Sequence, residues 1–225
     1  MAVGVAALAG LQAEQGDEEA ALATLREAWR RFPGHRGVQA ALTQALARSG
    51  DREQLANLLA GVVKLSPQDP MPWLVLLDAH IAARDIAAVR QWSDDLARRY
   101  PRHVALLEAL IDRAQRVGEP AERVGQLFAA LLRAAPQARE QIEAYAEWLL
   151  EQGRVAEARE VLARLPQGAQ GETAGSLREA DLLLGHGLLR EAREVAERVL
   201  TRRPDDGKAL RLLAVLDERQ GRLKE

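Results

Sequence analysis

The feature that most constrains this chain is a period. A turn residue recurs at Gly16, Gly50, Arg84, Gly118, Gly153, Gly187 and Gly221, at spacings of 34, 34, 34, 35, 34 and 34 residues. Aspartate follows the turn at Asp17, Asp51 and Asp85, and proline closes the same segments at Pro33, Pro67 and Pro101. A fixed period along the whole chain describes stacked copies of one supersecondary unit, each too small to bury its apolar face alone. Within a segment the apolar residues fall at helical spacing, as at Leu22, Leu25, Ala28 and Trp29. The expected fold is therefore all-α, an α-solenoid of about six and a half helix-turn-helix repeats.

Local signals place the elements. A helix near Ala2 to Gln15 pairs with one near Glu18 to Arg31, capped by Asp17 and stopped by Pro33. The second hairpin runs from Arg36 to Leu65, and Asp51 with Gln54 three residues on reads as a capping box. In the third, Asp85 caps the second helix and Arg84 stands where the other turns have glycine. The fourth spans His103 to Ala134, with Pro120 in the first turn of its second helix. The fifth spans Gln137 to Leu165, its second helix cut about a turn short by Pro166. The segment 167–175 breaks the rhythm and reads as a flexible connection, with the sixth hairpin beginning at Ser176. A last helix covers Asp206 to Gln220. The repeats are thus 2–35, 36–69, 70–103, 104–138, 139–172, 173–206 and a partial 207–225, read as one superhelical domain over 1–225.

Composition narrows the function classes. The chain is 48% hydrophobic and 28% charged, a globular balance, and its net charge of −2 gives no basic footprint for nucleic acid. The absence of cysteine excludes disulfides, thiolate metal sites and cysteine nucleophiles. No stretch approaches the roughly 20 apolar residues needed for a membrane span. The segment from Met1 to Ala13 is apolar on both faces of its helix, so cover is expected for it. Upstream repeats of a longer protein or a second copy of the chain would supply that cover.

The segments resemble tetratricopeptide repeats. Trp73, Leu76, Leu77 and His80 match the first helix of that pattern. Ala21 with Leu25, Ala28 and Pro33 match the second, as do Leu55 with Leu59, Val62 and Pro67. Ala158 with Leu162 and Leu165, and Ala192 with Ala196, Val199 and Pro204, continue the series. The resemblance implies a right-handed superhelix and a non-enzymatic scaffold that binds a partner protein or peptide in a concave groove lined by first helices. Similar arrays serve bacterial envelope, secretion and polysaccharide machinery, so a cytoplasmic or periplasmic place, or part of an envelope-associated protein, is implied. Two alternatives stay open: a self-oligomerising scaffold, dimeric through the N-terminal helix, and the regulatory arm of a multidomain enzyme.

Mapped by register, the groove of the first two hairpins shows Val3, Ala6, Gly10, Ala13, Ala40, Gln44 and Ala47. The third adds Met71, Leu74, Asp78 and Ile81. Acidic residues follow: Glu108 and Asp112, then Glu140, Glu143, Glu147 and Glu151, then Asp181. The four glutamates share one helix face, which costs helix stability unless cations lie opposite. One reading is a groove with an apolar end and an acidic middle that takes a basic or amphipathic peptide. The other is a solvated acidic face neutralised by arginines such as Arg113, Arg116 and Arg139. A groove that clamps a C-terminal carboxylate, known in the family, is not expected, because the matching positions are small, apolar or acidic.

Nothing else carries chemistry. His35, His80, His103 and His186 lie in no metal-ligand spacing, and His35 and His103, in equivalent turns, are expected to cap helices or face solvent. Gly168, Gly171 and Gly175 do not form a phosphate-binding motif. No cofactor, metal or catalytic set is expected. Trp73 reads as core, and Trp29, Trp92 and Trp148 as partly buried between repeats.

Overall fold

The computed structural model describes residues 2–65, 67–165 and 172–221. The chain falls into two compact units, Met1–Gly118 and Glu119–Glu225. The first holds α1 (Ala2–Glu14), α2 (Glu18–Arg31), α3 (Arg36–Ser49), α4 (Arg52–Leu65), α5 (Trp73–Ala82), α6 (Ile86–Arg99) and α7 (Val104–Arg116). Each helix packs on the next. The first helices of successive hairpins also meet, α1 on α3 and α3 on α5. The second unit holds α8 (Ala121–Ala134), α9 (Arg139–Glu151), α10 (Val155–Leu162), α11 (Glu172–Gly185), α12 (Leu189–Arg202) and α13 (Gly207–Arg219). It repeats the pattern, with α11 touching both α12 and α13. The fold is an all-α helical-repeat solenoid, and every described element is helical.

The turns carry the repeat. Gly16, Gly50, Gly118, Gly153, Gly187 and Gly221 all have positive φ, between 64° and 86°. Arg84, at φ 56°, is the one non-glycine residue in that region among the described residues. An L side chain there is crowded by the following carbonyl, at a cost of roughly 1–2 kcal/mol. The surrounding hydrogen bonds hold Arg84 in place. Its N–H donates to the Ile81 carbonyl at 2.9 Å, and the Asp85 N–H donates to the His80 carbonyl at 3.0 Å.

The caps follow the sequence closely. The Asp17 carboxylate accepts the Ala20 N–H at 2.9 Å, and Asp85 accepts that of Ala88 at 3.1 Å. His35 and His103 cap by their rings: each Nδ1 accepts the N–H three residues on, at 3.3 and 3.1 Å. At Asp51 only half of the expected box forms. Asp51 accepts the Gln54 N–H at 3.0 Å, but the Gln54 amide bonds the Asp51 carboxylate and does not reach back to the backbone. Pro120 lies just before α8, with the helix opening at Ala121.

The alanine, leucine and valine residues that carry the repeat pattern are in the core, while Pro33, Pro67 and Pro204 are exposed. Ala21, Leu25 and Ala28 are buried, as are Leu55, Leu59 and Val62, Ala158 with Leu162 and Leu165, and Ala192, Ala196 and Val199. Alanine at the contact lets two helix backbones approach, and the larger neighbours fill the groove beside it. Trp73 is core as expected and stacks on half-buried Trp92, ring centroids 4.9 Å apart. Trp148 is more deeply buried than its position suggests. It joins Phe128 and Tyr145 in an aromatic cluster between α8 and α9, with the Arg154 guanidinium 5.9 Å above its ring. His80 is buried at the end of α5, its Nδ1 3.2 Å from the Asp85 carboxylate.

Two boundaries differ from the sequence reading. The second helix of the fifth hairpin ends at Leu162, after only 8 residues, against 14 in α2, α4, α6 and α12. The chain then tightens, the Arg164 N–H donating to the Val161 carbonyl and the Leu165 N–H to the Leu162 carbonyl, both at 3.0 Å, and proline at 166 has no N–H with which to resume an α-helix. The following helix begins at Glu172, four residues before Ser176. Residues 172–175 are therefore helical, and 166–171 lie outside the described residues.

Arg84→Gly is expected to raise stability by about 0.5–1 kcal/mol, because relief of the crowded torsion exceeds the added freedom of the unfolded chain. Gly50→Ala is expected to lower it by about 1 kcal/mol. A Cβ at Gly50 meets nothing within 4 Å, so that cost is torsional only. Urea unfolding of the three proteins reads both, and no gain in Arg84→Gly would refute the strain assignment.

Candidate functional site

The residues that the sequence places on a groove come from the first helices of the hairpins. In the first unit, Gly10, Ala40 and Gln44 are exposed, and Ala6, Ala13, Ala47 and Ile81 are half-buried. The side chain of Val3 lies outside the described residues. Leu74 corrects the expectation: it is 7% exposed and belongs to the core. The cause is α5 itself, in which Trp73, Leu74, Leu76, Leu77 and His80 are all buried. With apolar residues around the whole helix, register cannot tell its outer face from its inner one. Met71 is exposed but sits in the turn before α5, not on a first helix.

Asp78 is the first acidic position and it is already paired. Arg113 on α7 donates to both of its carboxylate oxygens, Nε at 2.9 Å and Nη2 at 2.7 Å. Arg116 approaches Asp78 at 3.7 Å and pairs with Asp112 at 3.1 Å. A forked arginine on a carboxylate fixes geometry as well as charge. Here it ties the first helices of two successive hairpins together. Glu108 is exposed on the same helix, α7.

The second unit repeats the device. On α9, Glu143 has a side chain only 15% exposed. Arg139, one turn earlier, donates to it at 2.7 Å, and Arg178 of α11 donates at 3.0 Å. Burial pushes the Glu143 carboxyl upward, but the hydrogen bonds from Arg139 and Arg178 outweigh this and hold it below its ordinary 4.5. Glu140, Glu147 and Glu151 are exposed along α9, as is Asp181 on α11. The hydrogen bond to Glu143 is the main reason the Arg178 guanidinium holds its proton more firmly than usual, with Glu147 and Asp181 adding a smaller effect through space and forming no ion pair with it.

All three arginines read from the sequence as neutralisers are thus engaged: Arg113 and Arg116 with Asp78, and Arg139 with Glu143. Arg178 was not foreseen, and its signal was present. It stands 35 residues after Glu143, as Arg113 does after Asp78. One residue more than the repeat turns a side chain toward the equivalent position on the preceding first helix. Glu179, buried on α11, was also missed, and Arg159 of α10 pairs with it at 3.3 Å. Among the described residues, no three histidine, aspartate or glutamate side chains converge where a metal ion could bind. No described helix is long and apolar enough to cross a membrane.

Glu143 also sets a pH dependence. Its carboxyl is lower in the folded chain than its ordinary 4.5, so its contribution is complete above that value and is lost as pH falls through the depressed one. Acid unfolding below pH about 4.5 should therefore be less steep in Arg178→Met than in wild type. An unchanged acid limb would show that the pair contributes nothing to folding.

Residues 7–35 match the family model for the tetratricopeptide repeat. No curated protein matches the chain in sequence. Among solved structures, the pilF protein of Pseudomonas aeruginosa is similar over 95% of this chain and 96% of its own, at 15% identity and a TM-score of 0.41. A tetratricopeptide repeat protein from Parabacteroides merdae covers 98% of this chain and 87% of its own, at 14% identity and a TM-score of 0.42. TTC0263, a thermophilic protein of the same repeat class from Thermus thermophilus, covers 82% of this chain and 100% of its own, at 20% identity and a TM-score of 0.39. Repeats of this class are protein–protein interaction modules. The matched segment spans α2 and most of α1, and the same buried alanine pattern returns in α10 and α12, so the chain is similar to tetratricopeptide repeat proteins beyond the one repeat that the family model matches.

Proposed function

We propose that the chain is a non-enzymatic scaffold that binds a partner protein through the outward faces of its first helices, within a bacterial multiprotein assembly. The observation that carries the reading is the division of labour among the acidic residues of the second unit. Glu143 is spent on holding α11 to α9. Glu140, Glu147, Glu151 and Asp181 are exposed and make no ion pair with any described residue. Like charges crowded on neighbouring helices repel one another, and a cationic partner relieves that repulsion. The partner segment is accordingly basic or amphipathic.

A second reading has its own observation. Leu8 and Leu11 on α1 are 50% and 56% exposed. A second copy of the chain covering them would make the protein a self-associating scaffold. Sedimentation velocity over a wide concentration range separates the two, since only self-association gives a concentration-dependent dimer that Leu8→Gln/Leu11→Gln removes.

The main reading is tested by capturing partners from lysate with the wild type and with Glu147→Lys/Glu151→Lys. The side chains of these residues make no hydrogen bond or ion pair with any described residue, whereas reversing Glu143 would break the α9–α11 pair and confuse binding with unfolding. The double variant is expected to keep its unfolding midpoint and to lose the partner, and the wild-type complex is expected to weaken as salt rises. A partner retained equally by both proteins would overturn the acidic-face reading.

A further inference from the structure

The unit Met1–Gly118 has a cleft of about 300 Å³ where α2 and α4 flank α3, lined by side chains of all three helices. Its floor is apolar: Leu42 and Leu46 of α3 and Leu58 of α4, all buried, with half-buried Trp29 of α2 beside them. At its side stands Arg26. The Arg26 Nε is shut off from solvent and has no hydrogen-bond partner, and the guanidinium makes no ion pair with any described residue. Asn57, on the opposite wall, is exposed and its amide is likewise unpartnered. The other polar groups are committed. Arg30 pairs with Glu27, and the Gln54 amide is held by Asp51.

A desolvated, unsatisfied guanidinium N–H is costly unless an acceptor reaches it. Elsewhere in the chain, arginines at such positions have carboxylates: Arg113 has Asp78, and Arg159 has Glu179. Here the described residues supply none. The acceptor that fits best is a carboxylate, because the planar guanidinium takes it with two parallel bonds. The cleft volume is at the low end for ligand sites, enough for one large side chain with the rest of the ligand outside. Its floor requires that side chain to be apolar.

We infer that this cleft docks an extended peptide segment of a partner protein in which an acidic residue lies two positions from a large apolar one. In an extended chain residues two apart point the same way. The apolar side chain covers Trp29, Leu42, Leu46 and Leu58, the carboxylate meets Arg26, and the Asn57 amide donates to a backbone carbonyl of the segment. The site is lined by second helices and by the underside of α3, and it reads negative charge. It is separate from the acidic first-helix face of the other unit.

The test is a nitrogen–proton correlation titration of the whole chain with the capped peptide Gly-Ser-Phe-Ser-Glu-Ser-Gly, following the Trp29 indole signal assigned through Trp29→Phe. Control peptides replace the glutamate by lysine or the phenylalanine by serine. The Trp29 indole is expected to shift and saturate with the acidic peptide, and both controls should bind at least about ten-fold more weakly. Arg26→Gln should weaken the acidic peptide by a similar factor without loss of helicity. Arg26→Glu should reverse the preference toward the lysine peptide. The inference is overturned by a Trp29 signal that does not move, by equal response to the lysine control, or by unchanged binding in Arg26→Gln. Glu147→Lys/Glu151→Lys should leave this titration unaltered, so the two binding surfaces fail or stand independently.

Discussion

Reversing a chain between two antiparallel helices within a few residues requires one backbone torsion that most amino acids avoid. Glycine supplies it at six turns and Arg84 at the seventh. That requirement fixes hairpin length, hairpin length fixes which residues face the neighbour, and the facing residues are then selected for size. Ala158, Ala192 and Ala196 have no solvent exposure at all. A larger side chain at any of them would hold the helices apart and force the adjoining leucines and valines off their positions. The capping aspartates and histidines sit beside the same turns and satisfy the N–H groups that the reversal leaves open.

This dependence on local geometry explains why the fold was legible in the sequence. The turn glycines, caps and apolar spacing act within one hairpin, so each can be read without knowing the rest. The start and end of α2, and the capping roles of Asp17, Asp85, His35 and His103, follow from a few adjacent residues. The reading failed where the local signal was broken. At Pro166 the proline marks a stop, but how many turns are lost depends on which carbonyls go unsatisfied. At Glu172 the helix begins in a stretch whose glycines argue against it, and packing of α11 on α12 outweighs that propensity.

The site was less legible because exposure is a property of neighbours. Leu74 and Met71 look alike in register, yet one is core and the other lies in a turn. Among the acidic positions, the sequence showed the spacing of Glu140, Glu143, Glu147 and Glu151 but not that Glu143 alone turns toward the next helix. Pairs such as Asp78 with Arg113 and Glu143 with Arg178 join residues 35 apart. They are visible only once the period is combined with the rotation between successive first helices. Arg26 is the converse case: nothing in its neighbours along the chain signals a cation without a counter-ion.

A linear array passes load from each hairpin only to those on either side, so its weakest interface decides where it parts. In the second unit α10 is the shortest described helix, and it meets α11 over few residues. Two charged contacts, Glu143 with Arg178 and Arg159 with Glu179, reinforce that junction. Water that enters such a contact raises the local dielectric and cuts the attraction of an ion pair several-fold. Under tension or near the onset of unfolding, the second unit therefore behaves like a zipper with a fuse at the α10–α11 seam. The hairpin of α11 and α12, with α13, would detach there as a block while the aromatic cluster on α8 and α9 stays closed.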